Sequence, residues 1–479
     1  MNNFLNRVKR GNCLSKFNSS QGFPKIKEAL SKKGASVHFV GVGGISMYSL
    51  FNFTRIGGIS VSGSDKTASF RVKKLISAGF DVKVPMNTEA LSSASLLVYS
   101  LAVSENDSEL RVAEELGIPV VSRAEYLAYL SLEYKKKISV SGSHGKSTVT
   151  AMLAKILSDA GLSPSVLSGA NLSEISEPYI FASKDYLVFE ACEYKDSFLC
   201  FEPDVSVFLN LELDHTDYFK TFDDIKRSFL SAMKRAGKII VNKDDSELYA
   251  LSEFSGTPAL SYGIKETADF RAVNISEDSG KYSFEVLKSD KKIAEIKLSV
   301  LGKFSVYNAL AAFCAAYSLG IGADSAAKSL SSFPGIERRL EIIGKTVSGA
   351  PIIYDYAHHP SEIKSGILAV REFYKGKVAL VFKPHTYTRT RDLFDEFAIA
   401  LGLADFVYIS EIDAIREEKI DGISSESLAH AIGECAMALP DDEITERLKN
   451  FEGAILIMGA SNLDKIKEFF GAVNLGIDK

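Results

Sequence analysis

The run Gly142-Ser143-His144-Gly145-Lys146-Ser147-Thr148 combines glycines, a lysine and adjacent hydroxyls in a pattern suited to gripping phosphate. Lys137-Ile138-Ser139-Val140-Ser141 before it reads as a strand. Met152, Leu153, Ile156 and Leu157 after it fall on one face of a helix. A turn that ends a strand and opens a helix points backbone N–H groups and the positive end of the helix dipole at whatever anion it holds. Lys146 would neutralise phosphate charge, and the hydroxyl of Ser147 or Thr148 stands where a P-loop ligates Mg²⁺. The loop is a shortened variant, with Val140 where the first glycine of the usual spacing would be. The competing reading is a tight strand-to-helix turn with a surface lysine.

Two acidic segments follow. Phe189-Glu190-Ala191-Cys192-Glu193 sets a carboxylate at the end of a buried strand, the ligand-binding edge of an open α/β sheet. Asn210-Leu211-Glu212-Leu213-Asp214-His215-Thr216-Asp217 ends the next strand and adds carboxylates and an imidazole. Carboxylate, hydroxyl and phosphate oxygens suit Mg²⁺, imidazole less usually so, and two ions are compatible with the set. Taken alone, the second segment also reads as a solvated acidic loop with an aspartate capping the helix after Thr221.

Near the N-terminus, Val37-His38-Phe39-Val40 runs as a strand into Gly41-Val42-Gly43-Gly44, and Met47, Leu50 and Phe51 then recur at helical spacing. Gly41-x-Gly43-x-x-Ser46 is close to a dinucleotide fingerprint, and Asp65 stands 22 residues after Gly43, near the distance at which an acid meets a ribose. Ser46 replaces the third glycine. NAD, another diphosphate nucleotide and a purely structural turn all stay open on these residues.

The elements that must position these groups follow from the bulk of the chain. At 479 residues it needs about three domains. With 46% hydrophobic and 24% charged residues it has the balance of a folded, soluble protein. A net charge of −5 gives no electrostatic footprint for nucleic acid. Cys13, Cys192, Cys200, Cys314 and Cys435 show no Cys-x-x-Cys spacing and read as small apolar residues. The basic, Ser-rich segment 1–34 lacks the apolar core of a secretion signal, and no run approaches a membrane span, so a cytoplasmic protein without membrane insertion is expected. Strands are expected at 186–189, 205–209 and 238–241 with helices between them, and a small β insertion at 269–300. A third α/β series is expected from strands at 352–354, 378–382, 406–409 and 455–458. Boundaries fall at the charged 133–137 segment and at Phe333-Pro334-Gly335.

The order of motifs resembles the Mur ligases over nearly all of residues 36–465. The resemblance rests on His38 to Gly44, Ser62-Gly63-Ser64-Asp65, Gly142 to Thr148, Glu190 to Glu193 with Ser197-Phe198-Leu199, and Asp214-His215. It continues through Asn308-Ala309-Leu310-Ala311-Ala312, Phe333 to Arg339, Asp355-Tyr356-Ala357-His358-His359-Pro360, Pro384-His385 with Tyr387 to Arg391, and Gly422-Ile423-Ser424-Ser425. It implies an α/β protein of three domains behind an unassigned arm at 1–36. These are a Rossmann-like domain at 37–133 for a UDP-sugar, a P-loop ATPase-like parallel sheet at 134–334 for ATP, and a Rossmann-like domain at 335–479 for an amino acid.

By this resemblance Gly43, Gly44 and Ser100 would meet the diphosphate and uracil, displacing the NAD reading. Gly142, Ser143, His144, Gly145, Lys146, Ser147 and Thr148 would bind ATP, with Asn308 on adenine and Arg338 and Asp355 closing over the nucleotide. Ser147, Glu190 and His215 would hold Mg²⁺, and Lys146, Glu190 and His215 would carry the catalysis. Glu193, His358, His385 and Arg389 would serve the substrates. The motifs fit best the branch that joins L-alanine to UDP-N-acetylmuramate in peptidoglycan precursor synthesis, as a monomer or homodimer. A branch that joins murein tripeptide to the same sugar nucleotide is the nearest alternative, and a non-catalytic nucleotide-binding regulator is one from another class. The chain departs from the family pattern at Ser147 for Thr, Cys192 for Asp, Phe304-Ser305 for His-Asn, Thr386 for Arg and Ser461 for Gly.

Overall fold

A computed structural model describes residues 19–104, 106–414, 417–461 and 463–474, so most of the N-terminal arm and Cys13 lie outside the described residues. The chain is α/β, and its parallel strands form three sheets. By contact the chain divides into two compact units. The first comprises the residues up to Asp214 with Thr221–Ala268 and Cys314–Ile321, and the second comprises His215–Lys220, Asp269–Phe313 and Gly322 onward.

The first sheet has the strand order Val82–Lys83, Ser60–Ser64, Ser36–Val40, Leu96–Tyr99, Val120–Ser122, all parallel. Order reverses on either side of Ser36–Val40, so a crevice opens where that strand and Leu96–Tyr99 end. Val37, Phe39 and Val40 are fully buried because helices cover both faces of the sheet. Helix Ile45–Ile56 packs Met47, Leu50 and Phe51 inward, and its N-cap, Gly44, supplies no side chain to cap it. Helix Arg123–Ser131 begins with a reciprocal capping box between Ser122 and Glu125.

The central sheet, also in the first unit, runs Ala259–Gly263, Ile239–Asn242, Val205–Phe208, Lys136–Ser141, Tyr186–Glu190, Ser165–Leu172, Glu177–Ile180. Only Glu177–Ile180 among these is antiparallel to its neighbour. Two expectations need correction. The connection between Tyr186–Glu190 and Val205–Phe208 is a 3₁₀ segment, Tyr194–Cys200, kinked by Lys195 and Asp196 at φ 50° and 58°, which an α-helix cannot hold. The helix Phe222–Met233 is capped by Thr221, whose hydroxyl accepts from the N–H of Asp224 while the Asp224 carboxylate reaches back, so the aspartate completes the box rather than capping the helix.

In the second unit, Phe270–Asp278, Lys281–Lys288 and Lys291–Leu301 form the expected β insertion as antiparallel strands. The third sheet has the order Glu341–Lys345, Pro351–Asp355, Ala454–Met458, Val378–Phe382, Phe406–Ile409, Ala436–Ala438, parallel except at Glu341–Lys345. Successive residues serve opposite cores: Ile353, Leu380 and Leu456 pack on one face, and Tyr354, Val381 and Ile457 on the other. No helix among the described residues is long and apolar enough to cross a membrane.

Candidate active site

Strand Lys136–Ser141 lies between Val205–Phe208 and Tyr186–Glu190, so the loops that leave these three strands meet at one edge of the central sheet. Gly142 has φ 145°, and a Cβ there would lie 2.9 Å from Leu209 Cβ and 3.2 Å from the amide nitrogen of Asn210. The first position of the loop therefore admits only glycine. Gly145, at φ 86°, turns the chain into helix Lys146–Asp159.

The segment after Val205–Phe208 holds the loop from the side. The Asn210 carboxamide accepts from the N–H of His144 at 2.8 Å and donates to its carbonyl at 3.0 Å. Ser143 Oγ accepts from the N–H of Glu212 at 2.9 Å, and an imidazole nitrogen of His144 lies 3.1 Å from the Glu212 carboxylate. The Asp245 carboxylate accepts from the N–H of Leu211 at 2.8 Å and anchors this wall to the next helix.

Lys146 Nζ lies 3.1 Å from Glu193 Oε2 and also donates to the carbonyls of Gly142 and Ser143. Burial alone would lower its pKa, but the Glu193 carboxylate outweighs burial and holds the ammonium above its ordinary value. Glu193 is 1% exposed, so this is a nearly solvent-free ion pair built into the loop. Glu190, at the end of its strand, accepts from Gly169 N–H and from Ser168 Oγ. Ser147 is buried, and neither its hydroxyl nor that of Thr148 makes a hydrogen bond to a described residue. The partnerless Ser147 hydroxyl and the Glu190 carboxylate are each hard oxygen donors of the kind Mg²⁺ takes. His215 opens the short segment that packs with the second unit. It has φ 55°, and its carbonyl accepts from Tyr218 and Phe219.

At the first sheet's crevice, the N–H groups of Gly41 and Val42 bond to the Ser64 carbonyl, and the N–H of Gly43 donates to Asp65 Oδ2 at 2.9 Å. Asp65 also accepts from Thr67 N–H. Its carboxylate thus pins the glycine turn instead of standing ready for a ribose. The Ser100 turn adjoins it, since a Cβ on Gly41 would lie 3.4 Å from Ser100 Cβ. Gly43, Gly44 and Ser100 share this crevice.

In the second unit, Asp355 ends its strand and accepts from the N–H groups of Leu340 and Ala357, both at 2.7 Å. Burial pushes its pKa up to about 6, against the opposing pull of Arg339 and those two amides. Arg338, at φ 59°, donates to the carbonyls of Gly459 and Ser461 and lies over the rings of Tyr354 and Tyr356. Asn308 is buried, and its carboxamide makes no hydrogen bond to a described residue. The His358 ring meets Tyr356 on one side and His385 on the other at 6.1 Å, and His385 Nδ1 lies 3.3 Å from the Arg389 guanidinium. The structure therefore brings Arg338, Tyr356, His358, His385 and Arg389 into one chain of contacts at the strand ends. Thr386 caps the helix Tyr387–Asp392 by accepting from the N–H of Arg389, so its hydroxyl positions the very arginine expected to bind substrate.

Asn210 and Tyr356 were not assigned roles from the sequence; both fall inside quoted motifs and could have been found there.

The strand-ending sites on three α/β sheets, with a lysine-bearing phosphate loop on the central one, are those of a nucleotide-binding α/β protein. Three family models match in succession: "Mur ligase family, catalytic domain" at residues 36–135, "Mur ligase middle domain" at 140–316 and "Mur ligase, glutamate ligase domain" at 338–461. The chain belongs to the Mur ligase family. Among relatives, the UDP-N-acetylmuramate–L-alanine ligase of Caldanaerobacter subterraneus subsp. tengcongensis is 37% identical over 450 residues, which cover 92% of this chain and 98% of that protein. The crystal structure of UDP-N-acetylmuramate-alanine ligase from Thermotoga maritima superposes with a TM-score of 0.80 at 24% identity, covering 92% of this chain and all of that one. A murein peptide ligase from Psychrobacter arcticus gives 0.71 at 24% identity, with 93% and 99% coverage. Both structures share the three-domain fold.

Proposed function

We propose that this enzyme joins L-alanine to UDP-N-acetylmuramate, with cleavage of ATP to ADP and phosphate, as a step of peptidoglycan precursor synthesis in the cytoplasm. The observation that carries the reading is the edge of the central sheet, where the Gly142–Thr148 loop, Glu190 and Glu193 converge and Lys146 sits ready to trade a carboxylate for a phosphate. Correspondence along 98% of an L-alanine ligase supports the choice of substrates. On this reading 37–133 serves the sugar nucleotide, 134–334 ATP and 335–479 the amino acid.

A carboxylate is a poor electrophile, and activation must precede amide formation. The sugar carboxylate attacks the γ-phosphorus, the β–γ bridging bond breaks, and ADP leaves behind an acyl phosphate. The alanine amine then attacks the acyl carbon, phosphate departs with the bonding pair, and the amine gives up a proton. Loop amides of Gly142 to Lys146 and the Lys146 ammonium bind the phosphates and stabilise charge on the transferring group. Ser147, Glu190 and His215 would hold Mg²⁺, which when bound supplies charge neutralisation between the two anions. Asn308 offers an unused carboxamide to adenine. Arg338 and Asp355 serve the nucleotide from the third domain, and His358, His385 and Arg389 bind the carboxylates of the incoming substrates. Gly43, Gly44 and Ser100 take the diphosphate and uracil.

The test is phosphate release by the purified protein with UDP-N-acetylmuramate, ATP and Mg²⁺, with L-alanine or the murein tripeptide as acceptor. Alanine-dependent release with formation of the amide is expected. Release with tripeptide alone would move the protein to the recycling branch, and ATP binding without product would make it a regulator.

A further inference from the structure

Arg123 opens helix Arg123–Ser131 directly after the Ser122 cap. Its guanidinium is partly enclosed and makes no hydrogen bond or ion pair with any described residue. It faces a narrow cavity bounded by Ser46, Leu50, Ser168, Gly169 and Glu190. Burial pulls its pKa below the ordinary arginine value, and the field of the Glu190 carboxylate only partly compensates. A cation held in this way loses hydration without gaining a hydrogen-bonded partner, which lowers stability unless a ligand supplies one.

Opposite the Glu190 carboxylate, the wall at Ser46 adds donors for an anion. Ser46 lies in the first turn of the twelve-residue helix Ile45–Ile56, whose N-cap has no side-chain acceptor, and its hydroxyl makes no hydrogen bond to a described residue. The free N–H groups of that turn, the hydroxyl and the guanidinium supply donors. Location narrows the choice. The cavity lies between the glycine turn of the first sheet and Glu190 of the phosphate edge, which are the two ends of the path from a bound UDP group to the γ-phosphate of ATP. The group that must lie on that path is the sugar's lactyl carboxylate.

We infer that Arg123 is a substrate-binding residue that receives the lactyl carboxylate of UDP-N-acetylmuramate and orients it for phosphorylation. This rests on the proposed function. A planar guanidinium gives two parallel N–H donors to a carboxylate, so one oxygen can be held while the other is presented for attack. The same contact would discriminate the substrate from UDP-N-acetylglucosamine, which is identical except that it lacks the lactyl ether.

The test is equilibrium binding of these two nucleotides to the full chain and to Arg123→Gln and Arg123→Lys, with melting temperatures measured without ligand. Arg123→Gln should weaken UDP-N-acetylmuramate by about 10- to 100-fold and change UDP-N-acetylglucosamine by less than about twofold. Its ligand-free melting temperature should stay level or rise, since a partly desolvated cation without a hydrogen-bonded partner has been removed. Arg123→Lys should keep part of the preference. Equal weakening of both nucleotides, no weakening of either, or a fall in melting temperature would overturn the inference. A wild-type chain that binds UDP-N-acetylmuramate but ligates nothing would instead refute the proposed function.

Discussion

The Lys146–Glu193 pair can be measured as a unit. At 3.1 Å, two unit charges in an effective dielectric near 20 attract by about 5 kcal/mol. The Lys146 side chain is 16% exposed and Glu193 only 1%, so desolvation cancels a large part of this, and a net coupling of about 2–4 kcal/mol remains. Glu193→Gln leaves the ammonium its bonds to the carbonyls of Gly142 and Ser143 and should cost about 2–3 kcal/mol. Lys146→Met removes the cation from a buried carboxylate and should cost about 3–5 kcal/mol. The double variant should be no worse than Lys146→Met alone. Because the protein has several domains, amide hydrogen exchange in helix Lys146–Asp159 is a sounder readout than a global melt. The lysine's folded pKa is raised, so its contribution is fully present below the unfolded value and is lost only at strongly alkaline pH. The coupling should therefore be flat from about pH 6 to 9. Additivity of the single variants within about 0.5 kcal/mol would refute the reasoning. ATP should also protect Glu193→Gln more than wild type, since its phosphates supply the lost counter-charge.

Asp355 has its pKa pushed up to about 6, so the folded state binds this proton more tightly than the unfolded chain, and its favourable contribution grows as pH falls. Between about pH 7.5 and 5, wild type should gain roughly 1–1.5 kcal/mol over Asp355→Asn in denaturant titrations, and an unchanged difference would contradict the burial argument. Gly142→Ala would force a Cβ against Leu209 and the backbone of Asn210 at a left-handed φ, with a loss of about 2–4 kcal/mol and of ATP binding together. Full ATP affinity in that variant, by titration, would show that the loop tolerates the shift.

Much of the fold was legible because hydrophobic periodicity marks buried strands directly. Val37 to Val40, Ile138 to Ser141 and Val378 to Phe382 stand where they were expected. Strands Ser165–Leu172 and Glu177–Ile180 were not foreseen, since small and polar residues interrupt the first and the second is four residues long with a proline inside it. The kinked 3₁₀ segment at Tyr194–Cys200 was read as helix for the same reason: local sequence does not show that Lys195 and Asp196 take left-handed φ values.

At the site, glycine turns and strand-terminal acids were visible because the chemistry of a phosphate loop demands particular residues at particular chain distances. Pairing across the sheet is another matter. Val140 stands opposite Glu190 in register, which puts Glu190 level with the start of the phosphate loop, and no spacing along the chain encodes that register. Likewise Asp65 lies at the separation expected of a ribose acid, yet its carboxylate is taken up by Gly43 N–H. Thr386, a departure from the family pattern, proves to be the cap of the helix that carries Arg389, a role its hydroxyl can fill and an arginine cannot. Arg123 shows the limit most clearly. An arginine at the start of a helix is ordinary in sequence, and only the absence of a partner in three dimensions makes its charge a question that a substrate carboxylate answers.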